Sequence, residues 1–286
     1  MAVSRSHRTV RLGIHTFVWS ATTTEAILEI LPRVAACGYA GVELPLLAPS
    51  GLDIPRIRTA LREHGLDCTA SSALPKGYSL IDASTQAATV DWLARVVEDA
   101  AALGSPVLCG PLLTPIGEMR GRGPTQEEWE TGVGALRELG DRIAGSGVTI
   151  ALEPLNRFES FVVNTVEDAV RIVQEVDRPA IRLLLDTFHM NIEEADIPAA
   201  IAHACEYTAH FHLSESHRGS VGAGHISWDA VLHELAAGGY DGWLVVESFG
   251  TALPDLASAA SIWRPMAASP DALATESMAF LDGRLN

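Results

Sequence analysis

The sequence predicts an α/β protein of the (β/α)8 TIM-barrel class, built as a single domain over residues 1–286. Its length is close to the roughly 250 residues that such a barrel needs. Short apolar runs alternate with longer helical patterns, which is typical of βαβ units and a parallel sheet. The first apolar run ends in His15–Trp19 without the glycine-rich turn of a dinucleotide-binding sheet. Residues 1–9 precede this run and are expected to be a flexible N-terminus.

Eight apolar runs are predicted to be strands. They are Val10–Phe17, Gly41–Leu46, Asp67–Leu74, Pro106–Leu112, Val148–Leu155, Ile181–Phe188, Thr208–Ser214 and Trp243–Phe249. Helical patterns follow them at Thr24–Cys37, Ile54–His64, Ala83–Leu103, Thr125–Ala144, Thr165–Val176, Ile197–Cys205, Trp228–Ala237 and Pro270–Leu281. Glycine directly follows each of the first four helices, as expected for helix C-termini.

Side-chain alternation along the strands also favours a barrel. On strand five, Ala151 and Glu153 share one face, whereas Ile150 lies on the other. Bulky branched residues are expected to face the surrounding helices, and the carboxylate would end the inner face. Val245 and Glu247 repeat this pattern on strand eight.

Composition excludes several classes of protein. The formal net charge is −16, and the only basic cluster is the short segment Arg5–Arg11, so we expect no nucleic-acid partner. The four cysteines form no C-x-x-C pair, which is typical of a reduced cytoplasmic protein. We expect neither a signal peptide nor a membrane span, since no apolar run is long enough.

Four consecutive predicted strands end in residues that can bind a metal ion. These residues are Glu153, Asp186, His212 and Glu247, each separated from the next by about one βα unit. All four would therefore meet at the carboxyl end of the barrel, where barrel enzymes keep their active sites. One such carboxylate could be a helix cap or half of an ion pair, but three together would repel one another without a cation. Carboxylates with one imidazole suit Mn²⁺, Mg²⁺ or Co²⁺ better than a structural zinc ion.

Further polar residues surround this set. Glu159, His189 and Arg218 follow the candidate ligands and are expected on loops at the rim, within reach of substrate hydroxyls. His210 lies one layer deeper, and we expect it to be a satisfied core histidine. Glu43 ends strand two and could support the ligands from behind.

Several segments resemble the D-tagatose 3-epimerase, D-allulose (psicose) 3-epimerase and L-ribulose 3-epimerase family, within the xylose-isomerase-like barrels. The resemblance runs from Val10 onward and is carried by Leu108–Leu112, Ala151–Glu159, Asp186–Glu194, His210–Trp228, Val246–Gly250 and Ile262–Leu281. One departure is Ser216, where the similar motif Glu-Asn-His-Arg-Gly has Asn. This difference could alter the loop that carries Arg218.

The resemblance implies a function and the roles of the candidate residues. A divalent metal ion would be held by Glu153, Asp186, His212 and Glu247, and we expect it to be Mn²⁺, with Mg²⁺ or Co²⁺ as alternatives. The ketose would be bound near O1, O2 and O3 by Glu159, His189 and Arg218. Glu153 and Glu247 would also transfer the proton at C3 through a cis-enediolate, acting from opposite sides of the sugar. Similar barrels form homodimers or homotetramers.

Three other interpretations remain at this point. The same kind of metal site could act at another carbon of the substrate. The chain would then be an aldose–ketose isomerase, a hydroxypyruvate isomerase or an inosose-type enzyme. An endonuclease of the same superfamily would need more histidine ligands and a basic face. A non-catalytic sugar-binding protein would not need both Glu153 and Glu247 at one metal ion. The preferred ketose is left open.

Overall fold

Eight parallel strands close into a barrel in their sequence order, from β1 through β8 and back to β1. The computed structural model describes residues 10–48, 52–249, 257–258 and 260–285. The strands are β1 (Arg11–His15), β2 (Gly41–Pro45), β3 (Asp67–Ser71), β4 (Val107–Gly110), β5 (Thr149–Leu152), β6 (Ile181–Asp186), β7 (Thr208–Leu213) and β8 (Trp243–Val246). The predicted fold class is confirmed. The N-terminal residues 1–9, predicted to be flexible, lie outside the described residues.

Helices surround the barrel at each of the eight predicted places, and one further short helix that was not predicted directly follows β6. They are α1 (Ile27–Ala36), α2 (Ile54–Glu63), α3 (Gln86–Leu103), α4 (Gln126–Arg142), α5 (Val166–Val176), α6 (Thr187–Glu193), α7 (Ile197–Ala204), α8 (Trp228–Ala237) and α9 (Pro270–Leu285). Local chemistry sets several of their ends: Thr125 and Glu128 form a reciprocal capping box at the start of α4. Gly104 ends α3 with a left-handed φ of 90° that residues with a Cβ avoid. Of the helices in the described ranges, none is long and apolar enough to cross a membrane.

The barrel has two separate apolar regions. Val107, Cys109, Ala151 and Leu184 pack together in a small cluster of their own. Ile150 and Leu152 belong instead to the large core that includes the helices. This division confirms the alternation predicted for strand five. Near the amino-terminal end of the strands, the space is filled by Trp243, whose ring would lie only 2.5 Å from a Cβ atom at Gly41.

The strands end earlier than predicted, and one helix was missed. Asp186 ends β6 and immediately begins α6, because its side chain accepts a hydrogen bond from the backbone N–H of Phe188 at 2.6 Å. The prediction that strand six continues to Phe188 was therefore wrong. His189, predicted on a loop, lies in α6. The C-terminal helix also continues to Leu285 rather than ending at Leu281.

Candidate active site

The carboxyl ends of β5 to β8 bring the four candidate ligands together. Asp186 is the last residue of β6 and His212 lies in β7, while Glu153 and Glu247 directly follow β5 and β8. Glu153, His212 and Glu247 line a cavity of about 220 Å³ at this end of the barrel. Asp186 does not line the cavity but lies fully buried beside it. The barrel therefore gathers side chains that are far apart in sequence.

The spacing of these atoms is suitable for a cation. Ligand atoms of Glu153, Asp186 and His212 all lie within 4.8 Å of one another. The Nδ1 atom of His212 is 3.7 Å from Asp186 Oδ2 and 3.5 Å from Glu247 Oε1. Neighbouring ligands of a small octahedral cation are about 3 Å apart, so these separations are close to those around an ion. Buried His212 Nδ1 makes no hydrogen bond to any described residue, which leaves it available as a metal ligand. The residues present thus fit a divalent cation.

The guanidinium of Arg218 lies among the same carboxylates. Its Nη1 atom donates to Asp186 Oδ2 at 3.1 Å and to Glu247 Oε2 at 2.5 Å. The guanidinium packs between the rings of Phe188 and Phe249, at 4.0 and 4.9 Å from their centroids. Arg218 also lines the cavity, in agreement with its predicted location at the rim. Sequence reasoning did not anticipate that it would be bonded to two of the candidate ligands.

The two candidate acid–base residues have opposite pKa shifts. Burial raises the pKa of Glu153 well above its usual value, and the charges of Glu247 and Asp186 add to this effect. Burial also acts to raise the pKa of Glu247, but His212 and Arg218 outweigh it and hold the pKa below its usual value. Before a cation binds, one glutamate therefore favours the protonated form and the other the ionised form. Such a pair can supply one acid and one base.

His189 and Glu159 are connected by a residue that sequence reasoning missed. His189 Nδ1 accepts a hydrogen bond from the backbone N–H of Asn156 at 3.1 Å, so the ring proton of a neutral imidazole lies on Nε2. His189 Nε2 is 3.4 Å from Glu153 Oε1. The side-chain amide of Asn156 donates to Glu159 Oε1 at 2.9 Å. Asn156 lies between Glu153 and Glu159 in the sequence, and that position was the only signal available.

Glu43 lies beneath the candidate ligands, in the interior of the barrel. It is fully buried, and its Oε1 is 2.7 Å from His212 Nε2. Its Oε2 is 2.6 Å from His210 Nε2 and accepts a hydrogen bond from Thr69 at 2.7 Å. Burial acts to raise the pKa of Glu43, but His210 and His212 outweigh it and hold the pKa well below its usual value.

We expected His210 to be a buried histidine whose ring nitrogens have hydrogen-bond partners, and only the burial is observed. His210 is fully buried, but neither ring nitrogen has hydrogen-bond geometry with a described residue.

The loop that carries Arg218 is organised by Glu215. This buried carboxylate accepts hydrogen bonds from the backbone N–H of Ser216 at 2.8 Å and of Gly222 at 3.0 Å. It also accepts one from the Trp228 indole at 2.9 Å. The loop thereby holds Arg218 at a left-handed φ of 61°. The sequence did not mark Glu215, because a loop carboxylate that bonds to its own backbone has no distinctive spacing.

Several known proteins with similar sequences are epimerases. The chain matches the family described as Xylose isomerase-like TIM barrel over residues 31–283. It is 36% identical to an L-ribulose 3-epimerase from Mesorhizobium japonicum over 95% of this chain and 93% of the relative. It is 32% identical to a ketose 3-epimerase from Arthrobacter globiformis over 96% of this chain and 97% of that protein.

A solved structure supports the same relationship. The crystal structure of a D-allulose 3-epimerase from Methylomonas sp. in complex with D-allulose superposes with a TM-score of 0.91. It is 30% identical, over 96% of this chain and 97% of that one. The sequence and structure comparisons therefore agree along almost the whole chain. The chain belongs to the xylose isomerase-like TIM barrel family, among its ketose 3-epimerases.

Proposed function

We propose that the protein is a metal-dependent ketose 3-epimerase that interconverts the C3 epimers of free ketoses. The proposed substrates belong to the class of D-tagatose, D-fructose, D-allulose and L-ribulose. The observation that carries this proposal is the placement of Glu153 and Glu247, which line one cavity together with His212, whose Nδ1 makes no hydrogen bond to a described residue. Two carboxylates that face one cavity can invert a carbon centre, one by removing a proton and the other by delivering one.

We assign the metal site to Glu153, Asp186, His212 and Glu247. Mn²⁺ is the proposed ion, with Mg²⁺ and Co²⁺ as alternatives, because three carboxylates and one imidazole form a predominantly oxygen donor set. When bound, the cation would stabilise negative charge that develops on the oxygens of the sugar. Ser214 supports this set, since its hydroxyl donates to Asp186 Oδ2 at 2.9 Å.

Proton transfer follows from the placement of the two glutamates at one cavity. For one epimer, Glu247 removes the proton from C3 on one face of the sugar, and Glu153, when it carries a proton, delivers that proton to C3 on the other face. The bond to hydrogen on the first face breaks as electrons move toward C2, giving a planar cis-enediolate. After one turnover Glu247 holds the proton and Glu153 is ionised, so the opposite epimer reacts in the reverse direction. Loss of the proton from Glu247 to solvent and uptake of a proton by Glu153 restore the starting state.

We propose that Glu159, His189 and Arg218 bind the ketose near O1, O2 and O3. All three line the cavity. Asn156 fixes the orientation of His189 and of Glu159. His189 would donate from Nε2 to a sugar oxygen, and Arg218 would donate from its guanidinium. A ring nitrogen and a guanidinium that face the same cavity favour recognition of vicinal oxygens.

We further propose that the protein is cytoplasmic and forms a homodimer or homotetramer. All four cysteines are free, which supports a reducing compartment. Phe158 and Trp263 are large apolar residues with 73% and 75% of their surface exposed, which supports a partner surface on a second copy. Light scattering during size-exclusion chromatography tests this point, and a monomeric mass at micromolar concentration would exclude the oligomer.

A reaction in heavy water tests the proposed activity. The protein is loaded with Mn²⁺ and incubated in D₂O with L-ribulose, D-fructose or D-tagatose, and the sugars are analysed by NMR. We expect C3 epimers that carry deuterium at C3. Aldoses, with exchange at C1 instead, would identify an aldose–ketose isomerase and contradict the proposal.

A further inference from the structure

The environment of Glu43 suggests a role for a residue that never touches the cavity. Glu43 lies on β2 and His212 on β7, which are not neighbours in the barrel. Their side chains nevertheless meet across the barrel interior, with 2.7 Å between Glu43 Oε1 and His212 Nε2. Both residues are almost completely inaccessible to solvent. The contact therefore connects opposite walls of the barrel directly beneath the candidate metal ligands.

This contact determines which nitrogen of His212 can bind a metal ion. An ionised carboxylate is only an acceptor, so the proton of a neutral imidazole must lie on Nε2, the atom that faces Glu43. Nδ1 is then left with its lone pair. Nδ1 is also the atom that faces Asp186 and Glu247 and has no hydrogen bond within the described chain. The ring is thus oriented so that the nitrogen with the lone pair faces the other candidate metal ligands.

Glu43 is itself held in place from other sides. The hydroxyl of Thr69, its register neighbour on β3, donates to Oε2 at 2.7 Å. His210 Nε2 lies 2.6 Å from the same oxygen. Because Oε2 is fixed by these groups, Oε1 has little freedom to turn away from His212. A fixed carboxylate is what a positioning role requires.

A second metal site at this level is the competing explanation, and the distances oppose it. Ligand atoms of Glu43, Cys109, His210 and His212 also lie within 4.8 Å of one another. Two ligands of a tetrahedral zinc ion, however, are about 3.3 Å apart. The separations of 2.6 and 2.7 Å between Glu43 and the two imidazoles are hydrogen-bond distances and leave no room for an ion between them.

We propose that Glu43 is a positioning residue of the metal site, which orients His212 and commits its Nδ1 atom to the cation. This inference rests on the proposed metal-dependent function. Carboxylates that bond to the second nitrogen of a ligating histidine raise its basicity, and their loss typically weakens metal binding about 10- to 100-fold. Glu43 contributes in this way without contact with the sugar.

Metal affinity in the variant Glu43→Gln tests the proposal. The substitution keeps the size of the side chain but removes its charge. We expect the dissociation constant for Mn²⁺, measured by calorimetry, to rise about 10- to 100-fold. The matched control is Glu128→Gln, which makes the same change from carboxylate to amide at the start of α4, away from the cavity, and its Mn²⁺ affinity should remain near the wild-type value. An unchanged affinity in Glu43→Gln, or equal losses in both variants, would overturn the proposal.

A measurement on the unmodified protein covers the case in which Glu43→Gln does not fold. The protein is labelled with ¹⁵N-histidine and loaded with diamagnetic Mg²⁺, and the His212 signals are assigned by comparison with His212→Gln. We expect His212 to carry its proton on Nε2 only. A proton on Nδ1 would contradict the role of Glu43. If the wild-type protein binds no divalent metal at all, the proposed function fails as well. If it binds metal and epimerises ketoses, only the role of Glu43 is at stake.

Discussion

Buried carboxylates at two places in this protein differ in how far their negative charge is balanced by neighbouring arginines. At the start of α4, Glu128 is 9% exposed and meets the guanidinium groups of Arg120 and Arg122. It also accepts a hydrogen bond from the backbone N–H of Thr125 at 2.7 Å. At the carboxyl end of the barrel, Arg218 lies near Glu153, Asp186 and Glu247, but of these three described carboxylates it bonds only to the last two.

The difference shows why one group is structural and the other is suited to chemistry. The two arginines and the helix N-terminus balance the charge of Glu128, and its pKa lies below the usual value, with the hydrogen bond from Arg122 as the largest cause. In the barrel, Arg218 donates to Asp186 and to Glu247, whereas no hydrogen bond joins it to Glu153 in the described part of the chain. The pKa of Glu153 is raised instead. The excess of negative charge around His212 Nδ1, which makes no hydrogen bond to a described residue, is therefore suited to a cation. The balanced charge of Glu128 instead supports the capping box of α4.

The largest expected effect is on kcat, which should fall in variants of the barrel glutamates but not in a variant of Glu128. Glu153→Gln and Glu247→Gln each remove a proposed proton-transfer group but leave the size of the side chain unchanged. We expect kcat to fall by about 10²- to 10⁴-fold in each variant. Glu128→Gln should retain wild-type kcat, because its contacts lie outside the cavity. Steady-state kinetics with L-ribulose measures this, and a loss of less than tenfold in both barrel variants would contradict the acid–base assignment.

The next effect concerns metal affinity. Asp186→Asn removes a negative charge but keeps an oxygen that can cap α6. We expect the dissociation constant for Mn²⁺ to rise at least tenfold, equivalent to about 1.4 kcal/mol. Retained far-UV circular dichroism would verify the fold. Unchanged Mn²⁺ affinity would remove Asp186 from the ligand set.

Metal removal should destabilise the protein. A ligand present at about 100 times its dissociation constant stabilises the native state by about 2.7 kcal/mol. For a chain of this size that corresponds to a decrease in Tm of about 5 to 10 °C after treatment with EDTA. Differential scanning calorimetry measures the shift, and the same shift should occur in Glu128→Gln. A Tm that does not respond to chelation would argue against a bound cation.

The smallest expected effect concerns Glu128 and the stability of the protein. Glu128→Gln should lower the free energy of unfolding by about 1 kcal/mol, the usual value of a helix cap. Because the folded pKa of Glu128 is depressed, its contribution is present above the unfolded pKa of 4.5 and is lost as the pH falls toward the folded pKa. Urea unfolding at pH 7 and pH 4 should therefore show a smaller difference between variant and wild type at pH 4. An equal difference at both pH values would exclude a charge contribution.

The sequence predicted the barrel well because its signals are local and repeated. Apolar strand patterns and the glycines after helices depend on neighbouring residues. The strand pattern recurs eight times along the chain, and a glycine directly follows each of the first four predicted helices. The spacing from Glu153 to Glu247 by whole βα units likewise follows from the repeat. Strand ends were less predictable, because the termination of β6 depends on the side chain of Asp186, which caps α6.

Contacts across the barrel could not be read from the sequence. Glu43 and His212 are 169 residues apart, and no periodic pattern connects them. Asn156 was visible only as part of a motif, since its role depends on the position of His189 on α6. The hydrogen bonds of Arg218 to Asp186 and Glu247 depend on the path of a loop whose left-handed turn is set by Glu215. Such relationships are determined by tertiary packing.

The central claim is that four side chains from β5 to β8 bind one divalent cation, and titration with Mn²⁺ tests it most directly. Electron paramagnetic resonance distinguishes free from bound Mn²⁺ during the titration. We predict saturation at one ion per chain in the wild-type protein, with clearly weaker binding in Asp186→Asn and His212→Gln. Binding that does not saturate, or that is equally tight in both variants, would contradict this account.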